Sequence, residues 1–153
     1  MLSIPPFHPA FNPNKEVVTH MMEDARRIID DSIRAVLPDA AVYRALEGRR
    51  FDRPVTVIAI GKAAWRMANA AAKALGENLR EGIVITKYGH SEGDIPRMTI
   101  YEAAHPIPDA AGVAATRAAL ALADRMTAQD EVIFLVSGGG SALFEQPLEG
   151  VTL

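Results

Sequence analysis

A glycine-rich segment, Ser137–Ser141, has the residue types of an anion-binding loop. It reads Ser-Gly-Gly-Gly-Ser and follows the apolar run 132–136, which predicts a buried parallel strand. Glycines permit backbone angles that other residues avoid, and they let main-chain amides approach a ligand closely. Amides at the start of a helix favour phosphate or carboxylate. The segment therefore predicts an anion pocket, and the structural alternative is a plain strand-to-helix turn.

Polar residues also follow the other predicted strands, at the points where those strands end. The residues concerned are Gly61 and Lys62, then Lys87, Tyr88 and His90, and then His105 and Asp109. Because the carboxyl ends of parallel strands share one edge of a sheet, ligands bind in the crevice along that edge. A lysine there is a compact, flexible cation that can reach a phosphate or a carboxylate. Each residue also has a structural alternative, and Asp109 is equally suited to capping the helix that follows it.

Several common signatures of catalytic and metal sites do not fit the sequence. Gly61–Ala63 lacks the upstream glycine and the following Ser or Thr of a Walker loop. Leu143 stands where a dinucleotide fingerprint requires Gly or Ala, so NAD binding is poorly supported. The residues around Ser141 do not form the nucleophile elbow of hydrolases. The histidines, at positions 8, 20, 90 and 105, lack the spacing of metal ligands.

The elements that would position these residues alternate between strands and helices. Short apolar runs predict strands near 55–60, 82–86, 98–102 and 131–136. Helical periodicity predicts helices over about 15–37, 39–47, 63–75 and 110–126. This order is typical of an α/β fold: a mainly parallel, Rossmann-like sheet with helices on both faces, an αβα sandwich, here preceded by N-terminal helices. The proline-rich residues 1–14 are predicted to form an extended arm.

Length and composition exclude several classes of protein. The chain has 153 residues, of which 49% are hydrophobic and 23% charged, as expected for a globular domain with a substantial core. Its net charge of −3 and its lack of a basic stripe argue against a nucleic-acid partner. The absence of cysteine excludes disulfides and thiolate zinc sites. No apolar run approaches the roughly 20 residues that cross a bilayer, and no signal peptide is recognisable, so a cytoplasmic location is expected.

Four segments of the chain, in this order, resemble one known family: Val57–Ala64, Gly82–His90, Glu102–Asp109 and Leu135–Leu143. Together they are similar to the N-terminal part of the class II, or MOFRL-type, glycerate 2-kinases. The resemblance implies transfer of the γ-phosphoryl group of ATP to D-glycerate, with Mg²⁺, to give 2-phosphoglycerate. Some family members carry the older label of hydroxypyruvate reductase, linked to tartrate degradation.

The resemblance also implies roles for individual residues. Lys62 would be catalytic, either neutralising charge on the transferred phosphoryl group or binding the glycerate carboxylate. Backbone amides of the loop would hold phosphate oxygens, and the residues concerned are Ser137, Gly138, Gly139, Gly140 and Ser141. Substrate contacts would come from Lys87, His105 and Asp109. The metal ligands cannot be assigned from the sequence.

Members of this family run to roughly 400 residues, well beyond one domain, and the substrates lie in a cleft between two domains. Residues 15–153 are therefore expected to be the N-terminal α/β domain, cut short before the second domain and inactive alone. A homo-oligomer is a further possibility. Two alternatives stay open: an NAD(P)H-dependent hydroxypyruvate reductase and a non-catalytic fragment.

Overall fold

A computed structural model describes residues 13–153 and shows an alternation of helices and strands. In chain order the elements are α1 Pro13–Val36, α2 Pro38–Leu46, β1 Val55–Ile60, α3 Ala64–Leu75, β2 Leu79–Lys87, β3 Met98–Ala103, α4 Ala110–Ala123, β4 Glu131–Val136 and α5 Gly140–Leu143. The predicted strands and long helices are confirmed. Helix α1 begins two residues earlier than predicted, within the proline-rich arm, and the rest of that arm lies outside the described residues.

The strands form a single parallel sheet in the order β3-β2-β1-β4. Strand β1 is central, and Ile58 pairs with Ile83 of β2 on one side and with Phe134 of β4 on the other. All of β1 is buried, as expected for a strand with a neighbour on each side and helices on both faces. Because the strands run in one direction, their carboxyl ends lie along one edge of the sheet.

Helices cover both faces of the sheet, which confirms the predicted sandwich. On one face, α3 contributes small buried side chains that allow close packing against β1 and β2, in a cluster that includes Ala59, Ala64, Ala68 and Val84. On the other face, α4 packs mainly over β3 and β2, in a cluster that includes Ile58, Ile85, Ala115 and Ala119. This two-sided core fixes the strand ends from which the candidate site residues project.

Strand β4 is less buried than its composition predicts. Val132, Phe134 and Val136 are 44%, 51% and 57% exposed, whereas Ile133 and Leu135 pack on the α3 side. The reason is geometrical: β4 is an edge strand, and α4 packs mainly over β2 and β3 at the far side of the sheet. The prediction of a fully buried strand is therefore wrong, although the prediction of a parallel strand is right.

The described chain divides into two compact units, and α1 lies in the first of them, which ends at Leu37. The apolar side chains of α1 recur with the predicted helical period and are all at least half exposed: Val17, Val18, Met21, Met22, Ile28, Ile29, Ile33 and Val36. The α/β sheet belongs to the second unit, Pro38–Leu153. None of the described helices is long and apolar enough to cross a membrane.

Candidate functional site

The loops that follow β1 and β3 meet at Gly138–Gly140, which we call the glycine segment. Gly139 has a φ of +87°, which favours glycine. A Cβ atom at this position would lie 2.7 Å from His105 Nε2 and 3.2 Å from Lys62 Cγ. A Cβ atom at Gly138 would be 4.0 Å from Lys62 Cε. The Lys62 side chain therefore runs along bare backbone, and the His105 imidazole approaches the same point.

The polar groups at this point are available to a ligand. Within residues 13–153, the side chains of Lys62 and His105 make no hydrogen bond and no ion pair, and Lys62 is exposed. The backbone N–H groups of Gly138 and Gly139 also donate no hydrogen bond within the described part of the chain. A cation, an imidazole and two free amides thus share one small surface, which suits an anionic ligand.

Ser137 fixes the turn that carries Lys62. Its backbone N–H donates to the Ile60 carbonyl oxygen at 2.9 Å, and its Oγ accepts a hydrogen bond from the Ala63 N–H at 3.0 Å. A Cβ atom at Gly61 would lie 2.5 Å from the Ser137 carbonyl oxygen, so only glycine fits there. Because its hydroxyl is held by the turn after β1, Ser137 has a positioning role that the sequence did not predict.

The main chain of Lys62 is held by groups from two neighbouring strands. Its N–H donates to the Gly138 carbonyl oxygen at 2.9 Å. Its carbonyl oxygen accepts hydrogen bonds from His90 Nδ1 at 3.0 Å and from Thr86 Oγ1 at 3.4 Å. The sequence places His90 at this edge of the sheet but does not predict its hydrogen bond to Lys62, because a histidine in a polar loop carries no signal about which carbonyl it will reach.

Asp109 is confirmed as the cap of α4. Its Oδ1 accepts a hydrogen bond from the Gly112 N–H at 2.9 Å, and its Oδ2 accepts one from the Tyr88 hydroxyl at 2.9 Å. The bond from Gly112 is the main reason that the pKa of Asp109 is lowered. The same carboxylate raises the pKa of Tyr88 through the hydroxyl hydrogen bond. Each carboxylate oxygen of Asp109 thus accepts one hydrogen bond within this domain, which ties the residue to the start of α4 and to Tyr88.

The remaining predicted site residues lie at the same edge of the sheet. Lys87 is the last residue of β2 and is half-buried, and its side chain forms no hydrogen bond or ion pair within residues 13–153. Ser141 is exposed in α5, a helix of only 4 residues. Among the described residues, no three His, Asp or Glu side chains are close enough together to hold a metal ion.

Comparison with known proteins places the chain among relatives that are much longer. The domain family described as "Domain of unknown function (DUF4147)" matches residues 24–153. The D-glycerate 2-kinase of Thermotoga maritima is 54% identical over 129 residues, which is 84% of this chain and 31% of the relative. The glycerate 2-kinase of Pyrococcus horikoshii is 36% identical, over 90% of this chain and 33% of the relative.

The fold comparison agrees with the sequence comparison. The crystal structure of a glycerate kinase from Thermotoga maritima matches with a TM-score of 0.79 at 50% identity, over 88% of this chain and 32% of that chain. The chain thus spans about a third of the length of the relatives it matches. On this evidence, the chain belongs to the DUF4147 family, the N-terminal domain of the MOFRL-type glycerate kinases.

Proposed function

We propose that this chain supplies one half of the active site of an ATP-dependent D-glycerate 2-kinase. The observation that carries the proposal is the position of Lys62, whose unpaired side chain lies along Gly138 and Gly139 beside His105. Relatives named as glycerate 2-kinases support the choice of substrate. In this proposal the γ-phosphoryl group of ATP passes to the 2-hydroxyl of D-glycerate, giving ADP and 2-phosphoglycerate.

Phosphoryl transfer requires mainly positioning and the neutralisation of charge, and these groups can provide both. The free amides of Gly138 and Gly139 are proposed to bind phosphate oxygens, together with the amides of Gly140 and Ser141 at the start of α5. Lys62 Nζ is proposed to balance the negative charge that is shared by the transferred phosphoryl group and the acceptor. His105 and Lys87 are proposed to contact the glycerate carboxylate. Asp109 acts through α4 and Tyr88, as its hydrogen bonds indicate.

Mg²⁺ is expected to accompany ATP in the proposed reaction. Protein-bound Mg²⁺ in kinases is held by one or two carboxylates together with the phosphates. Asp109 accepts hydrogen bonds from Gly112 and Tyr88, and within residues 13–153 no three His, Asp or Glu side chains are close enough together to hold a metal ion. The proposal therefore assigns no metal ligand to this chain.

The other half of the site is proposed to lie in the part of the polypeptide that this chain does not cover. The chain corresponds to 31–33% of the relatives it matches. Lys62 and the glycine segment are exposed on one side, so a second domain would be needed to enclose the substrates and exclude water. A polypeptide consisting only of residues 1–153 is expected to show no measurable turnover, because lost positioning alone can cost many orders of magnitude in rate.

The direct test is an assay of the full-length polypeptide that contains this domain. Purified enzyme is given D-glycerate with ATP and Mg²⁺, and ADP formation is measured together with ³¹P NMR of the product. A parallel assay supplies hydroxypyruvate with NADH or NADPH. Glycerate-dependent ADP formation with a 2-phosphoglycerate signal is the expected result. Oxidation of the nicotinamide cofactor without ADP formation would instead identify a reductase and overturn the proposal.

One structural observation already favours the kinase over the reductase. In dinucleotide-binding folds, the pyrophosphate lies at the N-terminus of a helix that crosses back over the sheet. Here the helix after the glycine segment has only 4 residues. This geometry suits a short phosphate contact better than an extended dinucleotide.

A further inference from the structure

The carbonyl oxygen of Lys62 is the acceptor of an unusual pair of side-chain hydrogen bonds. Thr86, in β2, places its Oγ1 3.4 Å from this oxygen, and His90, just after the turn that follows β2, places its Nδ1 3.0 Å from it. A carbonyl oxygen can only accept, so His90 Nδ1 carries the proton in this contact. The backbone of His90 is held in a tight turn, in which the backbone N–H of His90 donates to the Lys87 carbonyl oxygen at 3.0 Å.

Hydrogen bonds thus hold the backbone of Lys62 on both sides, and we call this arrangement the Lys62 clamp. The N–H of Lys62 is bound to the Gly138 carbonyl oxygen on the β4 side, and its carbonyl oxygen is bound on the β2 side. The Lys62 side chain itself has no hydrogen bond or ion pair among the described residues, so nothing but its backbone and packing determines where the ammonium points. Because the stem of a lysine is flexible, the fixed main chain sets the direction in which the stem leaves, and packing along Gly138 and Gly139 guides the rest of the side chain.

We infer that His90 is a positioning residue for Lys62: its Nδ1–H holds the Lys62 peptide so that the side chain lies along the glycine segment. The inference rests on the proposed role of Lys62 in phosphoryl transfer. His90 acts through the Lys62 backbone and does not touch the reacting atoms. The bond from Thr86 is longer and its contribution is correspondingly smaller.

The decisive experiment exploits the two different nitrogen atoms of the imidazole. The side-chain amide nitrogen of Asn lies where Nδ1 lies in His, whereas that of Gln lies where Nε2 lies. In the full-length enzyme, His90→Ala and His90→Gln are expected to lower kcat by about three- to tenfold, the size of one modest hydrogen bond. His90→Asn is expected to restore most of the activity. KM for glycerate should change less than kcat, because the ammonium is misplaced mainly relative to the transition state.

A second readout does not depend on activity. The Lys62 carbonyl and the Ala63 N–H belong to one peptide group, and the Ala63 N–H donates to Ser137 Oγ at 3.0 Å. Releasing the carbonyl should loosen that amide, so its hydrogen exchange, followed by NMR, should accelerate in His90→Ala and not in His90→Asn. His20→Ala, in the exposed helix α1, is the matched control and should change neither quantity.

The outcomes separate this inference from the proposed function. Suppose that the parent enzyme lacks kinase activity, but the exchange rate of the Ala63 amide rises in His90→Ala and returns to the parent value in His90→Asn. His90 then holds the Lys62 backbone as inferred, and the proposed function is wrong. If the parent is an active kinase and His90→Ala retains its kcat, the inference is wrong. Equal losses in His90→Asn, His90→Gln and His90→Ala would also overturn it, since they would indicate direct chemistry by the ring.

Discussion

The His105 imidazole lies against Gly139, although the two residues follow strands at opposite edges of the sheet. Strands β3 and β4 are separated by β2 and β1, a distance of about 14 Å at normal strand spacing. The contact therefore requires the loops after both edge strands to lean inward over the strand ends. Lys62, which follows β1, reaches the same point, so the loops after β1, β3 and β4 meet there.

Gly139→Ala should disrupt this meeting point. The φ of +87° is strained for alanine, and the new methyl group would lie 2.7 Å from His105 Nε2. We expect kcat of the full-length enzyme to fall by about 100-fold, because a displacement near 1 Å in a positioned group has effects of that size. Steady-state kinetics and a melting curve measure the change.

Gly150→Ala is a matched control for backbone strain. Gly150 has a similar φ, +82°, but a methyl group there would meet no atom within 4 Å. Both variants should lose about 1–2 kcal/mol of stability from the left-handed backbone. Only Gly139→Ala should lose activity. Equal activity in the two variants would show that the contact between His105 and Gly139 does not matter to the site.

The four strands and the helices on the faces of the sheet could be predicted because each rests on a short-range pattern. The apolar run of β1 and the alanine spacing of α3 predict a buried strand and a closely packed helix without knowledge of distant residues. The exposure of Phe134 could not be predicted, because the composition of β4 is that of a central strand and its edge position depends on the order of the whole sheet.

The positions of the candidate residues along the sheet edge were predictable, whereas their contacts were not. The position of Lys62 after β1 and of the glycines after β4 places both at the carboxyl edge of any parallel sheet. In contrast, the hydrogen bond from His90 to the Lys62 carbonyl links residues 28 positions apart. Similarly, the Ser137 hydroxyl bonds across 74 positions to Ala63, and no local pattern encodes that partner.

Asp109→Ala should destabilise the domain more than it affects chemistry. The substitution removes the cap of α4 and also the partner of the Tyr88 hydroxyl. Loss of an N-cap typically costs about 1 kcal/mol. Asp109→Asn keeps an oxygen for the Gly112 N–H and should recover most of the loss in chemical denaturation. If Asp109→Asn melts like the parent yet abolishes glycerate turnover, the carboxylate contacts substrate and its role is wider than capping.

Asp130 should make the domain sensitive to acid. Hydrogen bonds from the Thr127 N–H, and next from Arg80, lower the pKa of Asp130 from 3.8 to about 2. The folded state thus favours the ionised carboxylate, so its stabilising effect is fully present above the unfolded pKa and is lost as the pH falls from about 4 towards 2. The melting temperature of Asp130→Asn should therefore be lower than that of the parent at pH 7, and this difference should disappear as the pH approaches 2.

The exposed residue Asp52 provides the control for this pH effect. Its side chain makes no hydrogen bond or ion pair within the described residues, so Asp52→Asn should track the parent at every pH. If the difference in melting temperature between Asp130→Asn and the parent stays constant from pH 7 to pH 2, ionisation of Asp130 does not stabilise the fold.

Lys62→Ala in the full-length enzyme should reduce turnover far more than stability. The exposed side chain makes no hydrogen bond or ion pair in the described structure, so its removal costs the fold little. In the proposed reaction its charge is most useful as negative charge builds on the phosphoryl group. One preorganised contact of this kind is worth about 2.7–4 kcal/mol, or roughly 100- to 1,000-fold in kcat. Steady-state kinetics with ATP and D-glycerate, together with a melting curve, provide the measurement.

Two further variants make the Lys62 test specific. Lys87→Ala removes a second unpaired lysine from the same edge of the sheet, and it should affect KM for glycerate more than kcat, because that lysine is proposed only to bind the carboxylate. Lys62→Arg keeps the charge but changes its shape and reach, so partial activity is expected. If Lys62→Ala melts like the parent and loses less than about threefold in kcat, well short of one preorganised contact, Lys62 has no part in the mechanism. The glycine segment would then have to act through its amides alone.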